Sequence, residues 1–501
     1  MATFMDPERI PVIVGVGQYN DRPQDPEQGM DPLGLMEKAL RLSDQDAGGG
    51  WLSAIESLSI VGQISYPEFG EITPPLAQLL GASPEYSETT KPMGDSPLRL
   101  LSEAANRIGS GDVKVAAVVG GEALRTAHYH AKKAMPTEGE SSPLERMRRS
   151  RPENYHIRHG LRTAANVYAL FENASRATFG QSLAEGQDET AEMWAQFAEV
   201  AKHNPGAWLQ NGASAQDIKT ISANNRPISH PYSKFMVANP SVNQGAGFLV
   251  TSLAEAQRRN VPKGQLIYIG YGASACEDFN PLARDRYDRS MAMDISITKA
   301  LQINQLSVDE LDYVELYSCF PCVPKMARRV LNWPLNKAAS VFGGLTYGGG
   351  PIANYMTHAV VSMVSKLREQ GSAGLLYANG GYATYHHTLF LSKNKIEQAV
   401  FPQDFNFQKQ ADNLRGALPL IDEDYQGPAT IETFTVTYHR DGSAKLGIIV
   451  AKTAEGTRTL ANVLETDQAT LTFLTDGKME PVGSEGSIKV INNNRIWTGT
   501  E

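Results

Sequence analysis

An internal repeat constrains the fold of this chain more than any other feature of its sequence. The first copy begins at Gly94, passes through an apolar-periodic stretch to Gly111, and ends in an apolar run at Gly121. The second copy begins at Gly348 and passes through the same order of features to Gly381. Each copy is typical of a turn, a helix with proline near its first turn, and a buried strand. The repeat predicts two related α/β halves, with chance similarity between two common loop–helix–strand units as the alternative.

The helix of the first copy has clear local signals. Leu98, Leu101, Ala105 and Ile108 recur at helical spacing, which places them on one apolar face. Ser96 precedes this face and is the predicted N-cap, because a serine hydroxyl can accept a hydrogen bond from a free N–H of the first turn. The following run, VKVAAVV, is nearly all apolar, as a strand covered by helices on both faces requires.

The length and charge of the chain bound its organisation and its partners. With 501 residues, it is too long for one ordinary core, and we expect two or three structural units. Its 46 basic and 55 acidic residues give a net charge of −9, which argues against nucleic-acid binding through the whole surface. No apolar run reaches the ~18 residues of a membrane-spanning helix, and the first residues lack the apolar run of a signal peptide. We therefore expect a cytoplasmic protein without a membrane span.

A polar segment over residues 125–230 separates the two copies of the repeat. Its stretch ETAEMWAQFAEVAKH has helical periodicity, so we interpret the segment as an insertion in an N-terminal half that covers residues 1–265. The second half covers residues 266–405. The insertion carries a basic cluster: Lys132, Lys133, Arg146, Arg148, Arg149, Arg151, Arg158 and Arg162. Such a cluster suits phosphate groups, and a solvated charged surface is the alternative.

Residues 425–501 differ in pattern from the rest of the chain. Phe434, Val436 and Tyr438 alternate with polar residues, and four more β-like runs follow: LGIIVAKTA, RTLANV, ATLTFLTD and GSIKVIN. Turn residues separate these runs at 440–442 and 480–483. Five short strands predict a small β-barrel of the OB type. No row of aromatic residues among lysines accompanies them, which favours a structural or ligand-channel role over nucleic-acid binding.

The chain has three cysteines, Cys276, Cys319 and Cys322, which are too few for a disulfide scaffold at this length. Cys319 and Cys322 have CxxC spacing, but no second CxxC or nearby His/Cys pair completes a zinc site. We therefore predict no metal site. A single reactive thiol is the favoured interpretation, and a plain buried cysteine is the alternative.

Several stretches, in a fixed order, resemble a known family. The run IVGVG at 13–17 is similar to the family's opening strand, and GSGDVKVAAVVGGEA to its signature strand. The stretch PYSKFMVANPSVNQGAGFLVTS is similar to the segment by which sterol-carrier-type thiolases return to the sheet. Over residues 10–400 this order resembles the thiolase superfamily. The resemblance implies the thiolase fold, an α/β structure of two similar βαβαβαββ halves in five layers, with four catalytic loops around an acyl-CoA.

The resemblance also identifies the first catalytic loop. Thiolases carry a nucleophilic cysteine at the N-terminus of a helix, where backbone N–H groups and the helix dipole favour a thiolate. The matching position here is Gly94, so the nucleophile is absent. Ser96 follows closely, but as the predicted N-cap its hydroxyl is occupied, and no base is evident beside it. We expect Gly94 and Ser96 to bind the substrate or its CoA group.

The second loop reads YSCF at 317–320, where the sterol-carrier type has His-Asp-Cys-Phe. Cys319 matches the cysteine that the resemblance implies is an acid/base group. Tyr317 replaces the side chain that helps to hold the thioester oxygen. We therefore expect Cys319 to act as a general acid/base and Tyr317 to donate a hydrogen bond to an oxyanion.

The third and fourth loops depart from the family pattern as well. The family's Gly-His-Pro becomes GGP at 349–351, and its Cys-x-Gly becomes ANG at 378–380. The resemblance assigns Gly350, Pro351, Ala378 and Gly380 to the binding of substrate or CoA. His386 follows the fourth loop and is a candidate second polar group in catalysis, with a hydrogen-bonded core histidine as the alternative.

Together with the β-rich C-terminal addition, this pattern most resembles the type 1 thiolase-like proteins, which are often named acetyl-CoA acetyltransferases. The resemblance implies a lipid-metabolic, thiolase-type acyltransferase that makes or breaks a C–C bond beside a thioester carbonyl. Its ligand would be CoA or an acyl-CoA, with no covalently bound cofactor, and Arg149 is the candidate contact for the CoA phosphates. Thiolases are commonly dimers, so a homodimer is the default expectation.

Two alternatives remain open at this point. One is a retro-aldol lyase on a hydroxyacyl-CoA, which needs proton removal and enolate stabilisation but no acyl-enzyme. Tyr317 fits this role, and Tyr347 or Tyr355 would have to replace the second tyrosine of the related aldolases. The other is a noncatalytic protein that binds acyl-CoA or assembles with a lipid-metabolic enzyme.

Overall fold

A computed structural model describes residues 6–134, 143–150, 152–492 and 494–499 of the protein. Its strands are β1 (Pro11–Asn20), β2 (Ser57–Val61), β3 (Tyr86–Thr89), β4 (Val115–Ala123), β5 (Pro227–Ser229), β6 (Tyr232–Ser233), β7 (Asn243–Ser252), β8 (Ile267–Cys276), β9 (Tyr313–Leu316), β10 (Ala373–Gly380), β11 (Tyr385–Ser392), β12 (Gly427–Tyr438), β13 (Ala444–Lys452), β14 (Arg458–Leu464), β15 (Glu485–Ile491) and β16 (Asn494–Gly499). Its helices are α1 (Pro32–Asp46), α2 (Thr73–Leu80), α3 (Ser96–Ser110), α4 (Leu124–Ala134), α5 (Pro143–Arg149), α6 (Tyr155–Arg158), α7 (Ala164–Thr178), α8 (Leu183–His203), α9 (Ala215–Lys219), α10 (Leu253–Arg258), α11 (Met291–Ile303), α12 (Cys322–Leu331), α13 (Tyr355–Glu369), α14 (Gln408–Leu414) and α15 (Gln468–Thr475). Among these helices, none is long and apolar enough to cross a membrane.

The main sheet shows the internal repeat directly. Its strands follow the order β3-β2-β4-β7-β1-β8-β11-β10-β9. In the first half, β2 and β4 are parallel while β7 runs antiparallel to both β4 and β1. In the second half, β9 and β10 are parallel while β11 runs antiparallel to both β10 and β8. The halves meet through β1 and β8 at Val12↔Tyr268 and Ile13↔Ile267. The predicted pair of similar α/β halves is therefore confirmed.

The helices of the repeat lie between the two halves of the sheet. Helices α3 and α13 pack against each other, and each contacts strands of both halves. Helix α1 covers the outer face of the first half and α11 that of the second. This arrangement gives the five layers of the thiolase fold. The N-termini of α3 and α13, which follow the two glycine-rich turns of the repeat, thus approach one central region.

Helix α3 forms as its sequence pattern predicts, except at its first residue. Leu98, Leu101 and Ala105 are completely buried, and Gly111 ends the helix with a left-handed backbone at φ +75°. The predicted N-cap is wrong, because Asp95 holds that position and Ser96 is the first residue of the helix. The Ser96 hydroxyl instead donates to the carbonyl of Lys91 at 3.3 Å, since the turn before the helix brings that carbonyl close.

The C-terminal strands close into a five-stranded barrel, which confirms the predicted barrel of the OB type. The order is β12-β13-β14-β16-β15, and β15 pairs back onto β12. All pairs are antiparallel except β14 with β16. Phe434, Val436 and Trp497 are buried in the barrel core. A bridge between Ser229 of β5 and Thr437 of β12 joins the insertion to this barrel.

One of the five predicted barrel strands is wrong. The run ATLTFLTD forms α15, a helix between β14 and β15, because Asp467 caps it by accepting from the N–H of Thr470 at 3.0 Å. Leu471 and Leu474 then share one face and are buried under the barrel. The fifth strand is β16, whose inward side chains are Arg495 and Trp497 rather than an apolar series. Because one of the two inward positions holds a charged residue, β16 lacks the regular apolar alternation that predicts a strand.

The insertion is mostly helical, as its periodicity predicts, and it joins the main core. Trp194 of α8 is completely buried and donates from its indole to Thr346 Oγ1 at 3.0 Å. Asn173 of α7 donates to the carbonyl of Phe434 in β12 at 2.9 Å. The insertion therefore fills the space between the second half and the barrel. Of the basic cluster, Arg151 lies outside the described residues.

Candidate active site

Loops from both halves line a cavity of about 330 Å³. Its wall includes residues from all four loops that the resemblance identifies: Gly94, Tyr317, Cys319, Gly350 and Gly380. The insertion contributes Tyr168 and Arg148 to the same wall. The remaining lining residues are mostly apolar. They are Pro92, Met93, Leu144, Met147, Ala164, Ala238, Pro240, Phe279, Phe320, Leu345, Ile352, Ala353, Asn379, Gly381 and Tyr382. The fold thus brings residues far apart in sequence to one half-open, mainly apolar cavity.

The first loop lacks a side chain for a steric reason. A Cβ on Gly94 would lie 2.5 Å from Tyr317 Oη and would also overlap the carbonyl oxygen of Asn379. Real Cβ atoms do not approach other atoms this closely. The Tyr317 hydroxyl therefore occupies the space that a nucleophile side chain at Gly94 would need. A side chain at Gly94 is thus excluded by the Tyr317 hydroxyl and by the Asn379 backbone together.

Restoring the cysteine alone should damage the protein. We expect Gly94→Cys to lower the free energy of unfolding by about 1–3 kcal/mol, because the new side chain overpacks a filled site. It should also form no acyl-enzyme on incubation with acetyl-CoA. Urea unfolding and mass spectrometry of the denatured protein test both points. Gly264→Cys is the matched control, since an added Cβ there meets nothing within 4 Å. An unchanged stability, or a stable acyl adduct, would contradict the steric account.

The Tyr317 side chain is buried, and its hydroxyl remains a phenol. No hydrogen bond to this hydroxyl occurs among the described residues, and the ring packs edge-on to Tyr355 at 5.6 Å. Burial raises the pKa of Tyr317 well above its usual value, and the neighbouring Cys319 and Asp95 raise it further. At neutral pH the group is therefore a hydrogen-bond donor to the cavity and not a base.

Cys319 is a protonated thiol under the same conditions. Burial raises its pKa to about 12, although the neighbouring Tyr168 hydroxyl acts in the opposite direction. The amide nitrogen of Asn379 lies 3.8 Å from Cys319 Sγ. Cys319 can donate a proton or a weak hydrogen bond, but as a free base it would be almost unpopulated near pH 7. Of the two functions predicted for Cys319, general acid and general base, the structure favours the general acid.

Tyr168 and Asn379 form a hydrogen-bonded pair in the cavity wall. Tyr168 Oη donates to the carbonyl of Gly381 at 2.9 Å and accepts from the N–H of Ala383 at 3.1 Å. Asn379 Nδ2 donates to the same hydroxyl at 2.8 Å. Tyr168 also stacks on Phe320, with ring centres 4.8 Å apart. These contacts fix the Asn379 amide beside Cys319.

A carboxyl group lies just behind the cavity wall. Asp95 Oδ1 is buried and has no hydrogen-bond partner among the described residues. A Cβ on Gly380 would overlap this oxygen, so only the absence of a side chain there lets the carboxyl approach. Burial raises the pKa of Asp95 to about 6, while Arg99 opposes the shift. Glu122 and Glu315 also have raised pKa values, about 7, but both are bonded to several backbone N–H groups.

His386 does not reach the cavity. It is buried on β11, where Nδ1 bonds the Tyr377 hydroxyl at 2.8 Å and Nε2 lies 3.2 Å from Ser290 Oγ and 3.1 Å from the carbonyl of Ala383. Burial lowers its pKa to about 4, with Glu277 opposing the shift. The contacts of His386 are those of a neutral, hydrogen-bonded core histidine.

His386 should contribute to the acid sensitivity of the fold. The native ring is neutral, whereas the unfolded ring takes a proton as the pH falls below 6.5. Its stabilising contribution is complete above pH 6.5 and is lost toward pH 4, by about 3 kcal/mol. We expect His386→Phe to unfold with a weaker pH dependence than the wild type in this window, as measured by urea titrations. Equal slopes of stability against pH would contradict this expectation.

The basic residue at the cavity is Arg148 rather than the predicted Arg149. Arg148 Nη1 lies 3.4 Å from Glu145 Oε2, and its side chain is one-third exposed. Arg149 is on the same short helix, α5, but is not part of the lining. The sequence missed this distinction because both arginines belong to one charged run, and only the direction of α5 separates them. Three other basic residues of the cluster form ion pairs: Lys133 with Glu27, Arg158 with Glu423, and Arg162 with Glu153.

Three further predicted binding residues lie outside the lining. Ser96 is inside the first turn of α3, Pro351 precedes α13, and Ala378 is buried on the opposite face of β10 from Asn379. Strand alternation explains the last case, since neighbouring side chains point to opposite faces. The two alternative tyrosines are also absent from the wall. Tyr355 donates to Glu315 at 2.6 Å, and Tyr347 lies in the turn Gly344–Gly348.

Comparison with known proteins agrees with this architecture. A family described as the thiolase-like protein type 1 additional C-terminal domain matches residues 409–492. The solved structure of a monomeric SCP2-thiolase-like protein type 1 from Mycobacterium smegmatis is 28% identical, covers 99% of this chain and 100% of that chain, and has a TM-score of 0.83. The structure of the Ltp2–ChsH2(DUF35) aldolase is 16% identical over 77% of this chain and 99% of that chain, with a TM-score of 0.60, which shows the shared fold.

A further relative, an enzyme, matches only a small part of this chain. Acetyl-CoA acetyltransferase IA of Candida tropicalis is 28% identical over 145 residues, which is 28% of this chain. The chain matches only 34% of the length of that enzyme. The chain thus has the thiolase fold and carries the additional C-terminal domain of the type 1 thiolase-like proteins.

Proposed function

We propose that this thiolase-like protein binds an acyl-CoA thioester in the cavity and makes or breaks a C–C bond beside its carbonyl without an acyl-enzyme. The observation that carries the proposal is the position of Tyr317 Oη, only 2.5 Å from where a Cβ on Gly94 would be. A covalent route has no nucleophile at that position. A phenol in its place can instead donate to the thioester oxygen as negative charge develops there.

The donors on the wall support a role in enolate stabilisation. Tyr317 and Cys319 offer a phenol and a thiol to one cavity. The raised pKa values of Tyr317 and Cys319 keep both groups protonated at neutral pH. Fixed donors in a mainly apolar cavity stabilise a developing oxyanion more than the same donors do in water.

Such chemistry also needs a base, and we assign this role to Asp95, whose carboxyl lies directly behind Gly380 of the cavity wall. Its pKa of about 6 leaves it mostly ionised at neutral pH while still basic enough to take a proton. In the proposed step, the Asp95 carboxylate takes the proton of the substrate β-hydroxyl, and the electron pair of that O–H bond forms the C=O bond of the released aldehyde or ketone as the Cα–Cβ bond breaks. The electron pair of the broken C–C bond ends in the enolate, whose oxygen accepts a hydrogen bond from Tyr317. Transfer of the proton from Asp95 to the α-carbon then gives the shortened acyl-CoA, and the reverse sequence forms the bond.

Arg148 supports the assignment of a CoA ester. Its guanidinium lies at the wall of a cavity that is otherwise mainly apolar. A partly exposed arginine at such a position suits a phosphate group, while the apolar wall suits an acyl chain. The protein would thus hold the phosphates near its surface and the thioester inside.

A second candidate function is acyl-CoA binding without turnover. The pKa of Cys319 at about 12 favours it, because the thiol that matches the family's acid/base cysteine is not available as a base. In this case the same wall would hold the thioester, and the protein would act as a carrier or an assembly component.

Calorimetry and product analysis separate these candidates. Acetyl-CoA and a β-hydroxyacyl-CoA would be titrated into the protein, and the mixtures would be analysed by chromatography and by mass spectrometry after denaturation. The proposal expects binding, release of an aldehyde or ketone with a shortened acyl-CoA, and no label on the protein. Binding without products would support the second candidate. Absence of binding, or an acyl group retained on the denatured protein, would overturn the proposal.

A further inference from the structure

In the Asn379 side chain, the amide nitrogen is hydrogen-bonded, whereas the amide oxygen has no partner among the described residues. Asn379 is 1% exposed and belongs to the cavity wall. Nδ2 donates to Tyr168 Oη, whereas Oδ1 is buried without a hydrogen-bond partner among the described residues. Leaving a buried acceptor unsatisfied costs about 1–3 kcal/mol, so such an oxygen calls for an explanation.

The orientation of this amide follows from the hydrogen bonds of Tyr168. A tyrosine hydroxyl has a single proton, and that proton goes to the carbonyl of Gly381. The hydroxyl must therefore accept from its two other neighbours, the N–H of Ala383 and the side chain of Asn379. Only the Nδ2 end of Asn379 can donate, so Oδ1 necessarily points away from Tyr168. The unmatched group is thus an acceptor and not a donor.

Among the described residues, the cavity wall therefore offers a free hydrogen-bond donor and a free hydrogen-bond acceptor. Tyr317 Oη is a donor that makes no hydrogen bond with the described residues. Asn379 Oδ1 is a buried acceptor that has no partner among them either. The two residues lie close together, since an added Cβ on Gly94 would meet both the Tyr317 hydroxyl and the Asn379 backbone. A ligand that satisfies both must carry an oxygen that accepts and, nearby, a hydroxyl that donates.

We propose that Asn379 is a specificity-determining residue whose Oδ1 accepts a hydrogen bond from the β-hydroxyl of a β-hydroxyacyl thioester. The inference rests on the proposed function, in which Tyr317 donates to the thioester oxygen. A saturated acyl chain leaves Oδ1 unsatisfied. A β-ketoacyl chain places a second acceptor against it, which is repulsive. Among CoA esters of one chain length, the hydroxylated ester is therefore the preferred ligand.

A comparison of three esters tests this preference. Butyryl-CoA, β-hydroxybutyryl-CoA and acetoacetyl-CoA would be titrated calorimetrically into the wild-type protein at a pH at which none is hydrolysed. We expect the hydroxylated ester to bind about tenfold more tightly than butyryl-CoA, which corresponds to one well-formed hydrogen bond. Acetoacetyl-CoA should bind no better than butyryl-CoA.

The variant Asn379→Leu then tests whether the preference for the hydroxylated ester depends on Asn379 Oδ1. Leucine has nearly the same volume but no acceptor, so the ratio of the affinities for the hydroxylated ester and butyryl-CoA should fall from about ten to about one. The ratio is compared within the variant, so it does not depend on the absolute affinity that remains after the loss of the bond from Asn379 to Tyr168. The comparison of esters on the wild type stands by itself if the variant does not fold.

The outcomes distinguish this inference from the function on which it rests. Equal affinity of the wild type for all three esters would overturn the role of Asn379 and leave acyl-CoA binding in place. A preference that persists in Asn379→Leu would also overturn it. Failure of all three esters to bind would instead overturn the proposed function, and with it this inference.

Discussion

Replacing Tyr317 by phenylalanine is expected to reduce turnover of an acyl-CoA substrate by about 100- to 1,000-fold. The variant keeps the ring, its edge-on contact with Tyr355 and the filled space beside Gly94, and it loses only the hydroxyl. Removal of one preorganised oxyanion donor costs this much in well-studied enzymes, because the donor acts mainly on the transition state. Substrate affinity should change far less than the rate of turnover. Steady-state kinetics on the substrate found by product analysis give both quantities.

Tyr377→Phe is the matched control for this experiment. Tyr377 is also a completely buried tyrosine, but its hydroxyl bonds His386 outside the cavity. The control should lose some stability and keep its turnover. An equal loss of turnover in both variants would show that the effect of Tyr317→Phe is structural. Unchanged turnover in Tyr317→Phe would remove the phenol from the mechanism.

Replacing Lys325 by methionine is expected to lower the free energy of unfolding by about 3–5 kcal/mol. Lys325 Nζ lies 2.6 Å from Glu172 Oε1, and both side chains are less than a tenth exposed. The ammonium also donates to the carbonyl of Gly186 at 2.8 Å. Without Lys325, the Glu172 carboxylate would be left buried and without its charge partner. Urea unfolding followed by circular dichroism measures the loss.

This ion pair also bears on the site, because Lys325 lies in α12, the helix that directly follows the Tyr317–Cys319 loop. The control is Lys133→Met, which removes a lysine from the exposed pair with Glu27, where solvent screening leaves little to lose. The double variant Lys325→Met/Glu172→Leu should recover part of the stability, since it removes the unpaired charge as well. A double variant less stable than the single one would contradict the role of the uncompensated carboxylate.

Much of the fold could be predicted from the sequence, because its signals are local. The repeated order of turn, helix and apolar strand predicts the two halves, and β12, β13, β14 and β15 follow from short apolar runs. The error at ATLTFLTD has the same origin: the run is apolar enough for either structure, and the cap at Asp467 together with the fit of Leu471 and Leu474 under the barrel favours the helix. Secondary structure in such a short segment is decided by its surroundings.

The site could be predicted only in part. The positions of Gly94, Tyr317, Cys319, Gly350 and Gly380 follow from motif order, and the structure brings all of them to one wall. Asn379 and Tyr168 could not be found in this way, because they are 211 residues apart and neither matches a motif. The loop identified Asn379 only as the variable residue between Ala378 and Gly380, whereas the alternation of β10 makes it the one whose side chain reaches the cavity.

By itself, the sequence determined that the chain consists of two similar α/β halves followed by a small β-barrel, and its resemblance to the thiolases implied that Gly94 stands where they carry their nucleophile. The first property depends on residue order and local periodicity, which a sequence contains in full, and the second on the match of motifs. The tertiary structure decided that the Tyr317 hydroxyl fills the place of that nucleophile, and that Asn379 turns an unmatched oxygen away from Tyr168. Both depend on distances between side chains that are remote along the chain, and only the packing of the two halves and the insertion sets those distances.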